Sequence, residues 1–252
     1  MMVALATILS FIKLVDLPYG GSITIASMLP ILIIAQRYGF VWGFFTGCVH
    51  GAVQLVFGLS NLSYFSTWQS VVAIILLDYI LAFALISAGA LTRGFRSSSS
   101  AMCTGAVIAG AVRYICHVIS GATVWAGLSI PTSAALAYSF GYNATYMVPE
   151  TIVLAIASYF IASSINFRSE KLTAQKTPRT EKRSVLSYIS LALASAALVF
   201  DTVLVFSPLQ NAETGEFDIT ALAHVNWMLV AVVTAAAAVI SLAMFIVSRK
   251  KK

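Results

Sequence analysis

Charge is scarce in this chain. Only 10% of its 252 residues are Asp, Glu, Lys or Arg, against roughly 25% in an ordinary soluble domain. Apolar types make up 60%, and the mean hydropathy is +0.92. The apolar residues come in long runs broken by short polar stretches, which is how hydrocarbon-spanning helices read. Soluble enzymes, nucleic-acid modules and secreted disulfide scaffolds are excluded together. Cysteine is scarce as well. Cys48, Cys103 and Cys116 all lie in apolar runs without metal-ligand spacing, and read as small buried apolar residues. There is no GxxxxGK loop and no soluble domain to hold ATP, so the chain does not hydrolyse nucleotide itself. One His and one Asp at similar depth fall short of a zinc shell. The sequence describes a multi-pass cell-membrane protein whose surroundings are the lipid bilayer, with no metal, no nucleic-acid partner and no catalytic constellation.

Eight apolar runs are present, at about 1–15, 22–36, 39–59, 69–92, 102–128, 149–167, 184–207 and 224–248. Most approach the ~20 residues that a ~30 Å hydrocarbon core requires. The second contains Pro30 and the third several glycines, which suits short or closely packed helices. The first begins at Met1 without a basic n-region or cleavage site and reads as an abbreviated span, not a signal peptide. The polar connections alternate in charge. One set holds thirteen of the fifteen basic residues: Arg37; Arg93 and Arg96; six between Arg168 and Arg183; and the tail Arg249 to Lys252. The other set, with Asp16, 60–68, 129–148 and 208–223, has no Lys or Arg. Basic loops stay cytoplasmic, so both termini are expected inside. The expected fold is an all-α polytopic membrane protein. It divides into a six-helix unit at 1–167, a basic cytoplasmic linker at 168–183, and an accessory two-helix unit with a basic tail at 184–252.

Ionisable residues inside a membrane are costly and are functional candidates by default. Asp78, Arg113, His117 and, near a helix start, Glu150 qualify. His50 reads as a hydrogen-bonded packing residue. Asp78 lies ten residues from the outer end of its run and His117 eleven from the outer end of the next, both ~15–16 Å deep. Their side chains are therefore expected to meet. Arg113 lies one turn from His117 on the same face, with Trp125 two turns beyond on the outer side. Asp78 is open to two readings, a ligand contact or an ion pair with Arg113. The segment 129–148 reads as an outer loop. It carries Tyr138, Tyr142, Asn143 and Tyr146 and is suited to covering an aromatic or cationic ligand. Trp68 and Tyr64 read as interface aromatics.

The stretch LPYGGSITIASMLPILIIAQRYG, with LLDYILAFALISAGALTRGF, RYICHVISGATVW and ALAYSFGYN, resembles the membrane-embedded thiamine-binding component of energy-coupling-factor vitamin transporters. The likeness covers about 14–167, and RYxxHxxxGxxxW at 113–125 with YxxxxN at 138–143 carry it. The resemblance implies a six-helix substrate-binding component with thiamine held near the extracellular side. Its partners would be a transmembrane coupling protein and two cytoplasmic ATPases, which spend the ATP. It further implies that His117 and Trp125 sandwich the thiazolium ring. Asp78, in place of a family glutamate, would hold the aminopyrimidine with Tyr79 beside it. Tyr138 and Asn143 would complete the pocket, Arg113 takes the place of a basic family residue, and Trp68 falls where the family has another pocket aromatic. Tyr142, Tyr146 and Glu150 join the set from the same segment. Four features depart from the family: Asp78 is one methylene shorter than the family acid, Gly21 and Ser22 stand where the family has a tryptophan, the helix pair beyond 184 is extra, and the small-residue face that docks the coupling protein is only weakly visible in Met1 to Ser10.

The expected function is therefore substrate binding for ATP-dependent thiamine uptake, with no cofactor bound by this chain. Two other classes fit the composition: a stand-alone, proton-coupled carrier of a small heteroaromatic, and a membrane assembly protein in which Asp78 and Arg113 simply pair.

Overall fold

The computed structural model describes residues 1–16, 21–64, 67–127, 132–167, 169, 173–174, 185–209 and 219–250. Helix α1 covers Met2–Phe11, α2 Leu29–Tyr38, α3 Phe40–Phe57 and α4 Trp68–Gly94. They are followed by α5, Ser98–Gly127, α6, Thr132–Ser164, α7, Val185–Phe206, and α8, Trp227–Lys250. Strands β1 (Lys13–Asp16) and β2 (Ser22–Thr24) pair antiparallel between α1 and α2. A shorter ladder joins β3, Ile165–Asn166, to β4, Thr173–Ala174.

The expected six-helix unit with two further spans, eight in all, is corrected here. Among the described residues six helices are long and apolar enough to cross a membrane: α3, α4, α5, α6, α7 and α8. The first two runs fail on length. Each forms a helix of 10 residues, ~15 Å long at 1.5 Å per residue, half the hydrocarbon thickness. The reason lies between them. Lys13 and Asp16 put charge into the first run, and the β-branched Ile23 and Thr24 begin the second. These residues pair as strands, so the fold is also not purely α-helical.

The outer loop at 129–148 is likewise corrected. From Thr132 onward it is helix, continuous through Pro149 to Ser164. The linker at 168–183 and the acidic segment with Glu213, Glu216 and Asp218 fall almost entirely outside the described residues.

Short as it is, α2 is the centre of the packing. Leu29, Pro30, Ile31, Leu32, Ile33 and Ala35 are all buried, and a helix apolar on every side belongs inside. Ile86, Met102, Ala106 and Leu154, from α4, α5 and α6, close around it. Its C-terminal end is tied down by side chains. Gln36 Nε2 donates to Gly89 O (2.6 Å) and Thr92 Oγ1 (2.7 Å). Arg93 donates through Nε to Gln36 O and through Nη2 to Arg37 O, both at 2.9 Å, satisfying carbonyls that a helix end leaves open.

Helices α4 and α5 run antiparallel and are joined by polar rungs. Thr92 Oγ1 donates to Ala101 O (2.6 Å) at one end, and Ser70 Oγ to Thr123 O (3.2 Å) at the other. Asp78 lies between these rungs, within a stretch of π-helix at Ile74–Leu81. Irregular backbone of this kind is tolerated in a membrane where protein covers it, and often marks a functional site.

Close approach of α3 to α4 rests on Gly47. A Cβ there would lie 2.7 Å from Ala84 Cα, and backbone cannot step aside as a side chain can. Gly47→Val is expected to destabilise the protein by about 1–3 kcal/mol, read as a melting temperature lowered by several degrees in detergent. Gly94→Ala, at a position with nothing within 4 Å of the new methyl, should leave the melting temperature unchanged.

Candidate functional site

Two polar pairs form where α4, α5 and α6 meet. In the first, His117 Nδ1 lies 2.8 Å from Asp78 Oδ1, and Ser120 Oγ donates to Asp78 Oδ2 at 3.0 Å. The Asp78 side chain is 25% exposed and that of His117 9%. The opposite ring nitrogen, Nε2, is buried without a hydrogen-bond partner. An imidazole whose inner nitrogen is held by a carboxylate presents the other in a fixed direction.

In the second pair Arg113 Nη1 meets Glu150 Oε2 at 2.6 Å, with side chains only 9% and 2% exposed. Thr24, on β2, donates its hydroxyl to Glu150 Oε1 at 2.7 Å. The guanidinium lies over the Phe83 ring at 4.7 Å, and Nη1 also reaches Met28 Sδ at 3.3 Å. The ion pair considered for Asp78 and Arg113 is therefore replaced by two separate pairs, each carboxylate taking a different cationic or donor partner.

A wall of α6 residues stands against the first pair. Tyr146 packs edge-on to the His117 ring, with centroids 6.0 Å apart, and Tyr142 packs edge-on to Tyr146 at 5.7 Å. The Tyr146 hydroxyl donates to Asn143 Oδ1 at 2.5 Å. Asn143 Nδ2 in turn donates to Ser139 O (2.8 Å) and His117 O (3.2 Å). Asn143 thus uses both ends of its amide within the protein and fixes α6 against α5. Gly21 rests on this wall. A Cβ at that position would lie 2.9 Å from Tyr146 Cδ1 and 3.0 Å from the Tyr142 hydroxyl. Two tyrosines from α6 occupy the space beside residue 21, which explains why no large side chain stands there.

Other residues singled out in the sequence lie elsewhere. Tyr79 turns away from Asp78, and its hydroxyl donates to Gly58 O at 3.4 Å. Trp68 is 72% exposed at the start of α4, and Tyr138 is 37% exposed on α6. The side chains of Trp125 and Tyr64 fall outside the described residues. His50 is fully buried, with Thr7 Oγ1 3.4 Å from its Nδ1 and its ring edge-on to Phe83, as a packing residue. The three cysteines are free thiols. Among the described residues no group of three His, Cys, Asp or Glu is placed to hold a metal ion.

A family model described as Thiamine transporter protein (Thia_YuaJ) matches residues 1–168. The chain belongs to this family. One relative is the thiamine transporter ThiT of Bacillus subtilis (strain 168), 36% identical over 167 residues, covering 62% of this chain and 83% of the relative. The resemblance read from the motifs and the match agree. Membership in the thiamine transporter family makes the chain a multi-pass membrane component of thiamine transport, of the substrate-binding kind. It also implies partner proteins of the energy-coupling-factor type.

The helical placement of the tyrosine segment escaped sequence reading, as did Ser120, although their signals were present. Tyr138, Tyr142, Tyr146 and Glu150 recur every four residues, the repeat of one helix face, which argues helix and not loop. Ser120 stands three residues beyond His117 and so shares its face. Asp201 was missed altogether. It lies inside α7 and accepts a hydrogen bond from Thr234 of α8 at 2.6 Å.

The Asn143 clamp generates a stability test. Tyr146→Phe removes the donor to a buried amide oxygen and is expected to cost about 1–3 kcal/mol. Thermal melting of the single and double variants checks this. Adding Asn143→Leu to Tyr146→Phe should cost less than the two separate losses combined.

Proposed function

We propose that this chain captures thiamine between Asp78 and His117 and hands it to an ATP-driven importer made with other subunits. The observation that carries this reading is the held imidazole: Nδ1 on Asp78, and Nε2 buried and unpartnered beside a tyrosine wall. Charge supports it too. The formal charges of Arg113 and Glu150 cancel, which leaves the Asp78 carboxylate in an apolar surround. That favours a monocation such as the thiazolium of thiamine. In this reading Asp78 accepts from the aminopyrimidine, His117 and Trp125 flank the thiazolium, and Tyr142 and Tyr146 close one side. Tyr138, Tyr79 and Trp68 are assigned by family resemblance alone. The Arg113–Glu150 pair is assigned to the support of the site and not to ligand contact.

The partners in this proposal are a transmembrane coupling protein and two cytoplasmic ATPases. The binding unit is assigned to residues 1–167, an assignment supported by the family match ending at residue 168. Residues 168–183 are assigned as a linker and 184–252 as an accessory unit.

Thiamine titration of the detergent-purified chain, followed by tryptophan fluorescence, tests the reading. Saturable quenching is expected in the wild type. It should vanish in His117→Ala and shift about ten- to a hundredfold to higher thiamine in Asp78→Asn, the range for a buried charged hydrogen bond of about 1.5–3 kcal/mol. A folded wild type that does not respond would contradict it. Uptake that needs ATPase subunits and survives an uncoupler is expected; uptake by this chain alone, abolished by an uncoupler, would favour the proton-coupled carrier.

A further inference from the structure

Resting on that reading, we infer that Glu150 acts by holding Arg113 away from Asp78, which keeps the Asp78 carboxylate for His117 and the ligand. Two carboxylates compete here for one guanidinium. Arg113 and His117 are four residues apart on one face of α5, so their side chains are neighbours. Asp78 is bonded to the second of them at 2.8 Å. A long arginine side chain spans a helical turn of about 5.4 Å, which brings Asp78 within its reach.

Glu150 wins that competition because its site is built for the pair. The carboxylate is 2% exposed and 2.6 Å from Nη1. Its second oxygen accepts from Thr24 at 2.7 Å, and the guanidinium rests on the Phe83 face with Met28 Sδ alongside. The grip is incomplete, since both hydrogen bonds run through Nη1 and Arg113 Nε is buried without a partner. Remove the charge of Glu150 and a guanidinium with an unsatisfied donor is left in apolar surroundings, where an unpaired charge is costly. Among the described residues, the carboxylate left nearby is Asp78, bonded one turn along α5 at His117. Arg113 would then draw Asp78 from His117 and neutralise the negative charge that receives the cationic ligand. Glu150 is thus a positioning residue that touches no ligand.

The test uses the full-length chain with thiamine as the probe. Glu150→Gln keeps an acceptor for Thr24 but loses the charge, and thiamine binding should weaken at least tenfold. Adding Arg113→Met removes the stranded cation, and affinity should return to within a few-fold of the wild type. Equal or greater weakness in the double variant, or full affinity in Glu150→Gln alone, would overturn the inference. Should Glu150→Gln fail to melt as a folded protein, Thr24→Val carries the test. It loosens Glu150 through a single hydroxyl and should weaken binding several-fold, an effect that Arg113→Met reverses; unchanged binding in Thr24→Val would overturn it.

A second readout needs no ligand. Ring-nitrogen NMR of ligand-free protein should show the His117 Nδ1 resonance move in Glu150→Gln and return in the double variant, and a resonance that stays fixed would overturn the inference. If the wild type did not bind thiamine, the functional reading would fail while this readout still decided the role of Glu150.

Discussion

An apolar helix bundle cannot hold a lone charge cheaply, and the arrangement of this molecule around α5 follows from that constraint. Arg113 and His117 stand one turn apart on α5, and each must find a partner on another helix. Glu150 comes from α6 and Asp78 from α4. These two contacts fix the depth of both neighbouring helices against α5. They also separate the work. The pair that is sealed, with both side chains under a tenth exposed, secures the bundle. The other pair is a quarter exposed on its acidic side, and it is the one proposed to meet the ligand.

The parts that do not cross the membrane serve the same centre. Helix α2 is too short to span, yet its residues from Leu29 to Ile33 are buried and its end is tied by Gln36 and Arg93. The β1–β2 hairpin before it delivers Thr24 to Glu150 and sets Gly21 on Tyr142 and Tyr146. Beyond the family-matched region, α7 and α8 form a pair joined by Asp201 with Thr234 and by Ser190 Oγ donating to Ser241 O at 2.7 Å. The pair carries its own polar contacts, and Val203 of α7 packs against the cluster of Ile23, Tyr142, Tyr146 and Met147.

How much of this was legible in the sequence depended on the range of the interaction. Depth along a helix is set by a constant rise, so counting residues from the ends of two apolar runs was enough to bring Asp78 level with His117. Choice of partner is not set by depth. Nothing in the run lengths tells Arg113 to prefer Glu150 over Asp78, because the preference comes from Thr24, Phe83 and Met28, distant in sequence and gathered only by the fold. Helix number failed at 1–36 for a different reason. Hydropathy measures how apolar a run is, whereas Lys13, Asp16 and the β-branched residues at 23 and 24 decided whether it stayed helical. At 132–148 tyrosine and asparagine content argued for a loop, and the four-residue repeat that argued for a helix was the stronger physical signal.

The central claim is that the ligand meets the free side of His117. With three histidines in the chain, His50, His117 and His224, ring-nitrogen NMR of histidine-labelled protein can observe that nitrogen directly, with single substitutions supplying the assignment. On adding thiamine the account predicts that the Nε2 resonance of His117 shifts to a new saturating position while those of His50 and His224 stay in place. Saturable thiamine binding with the His117 resonances unmoved would contradict it, and would place the vitamin somewhere other than the Asp78–His117 pair.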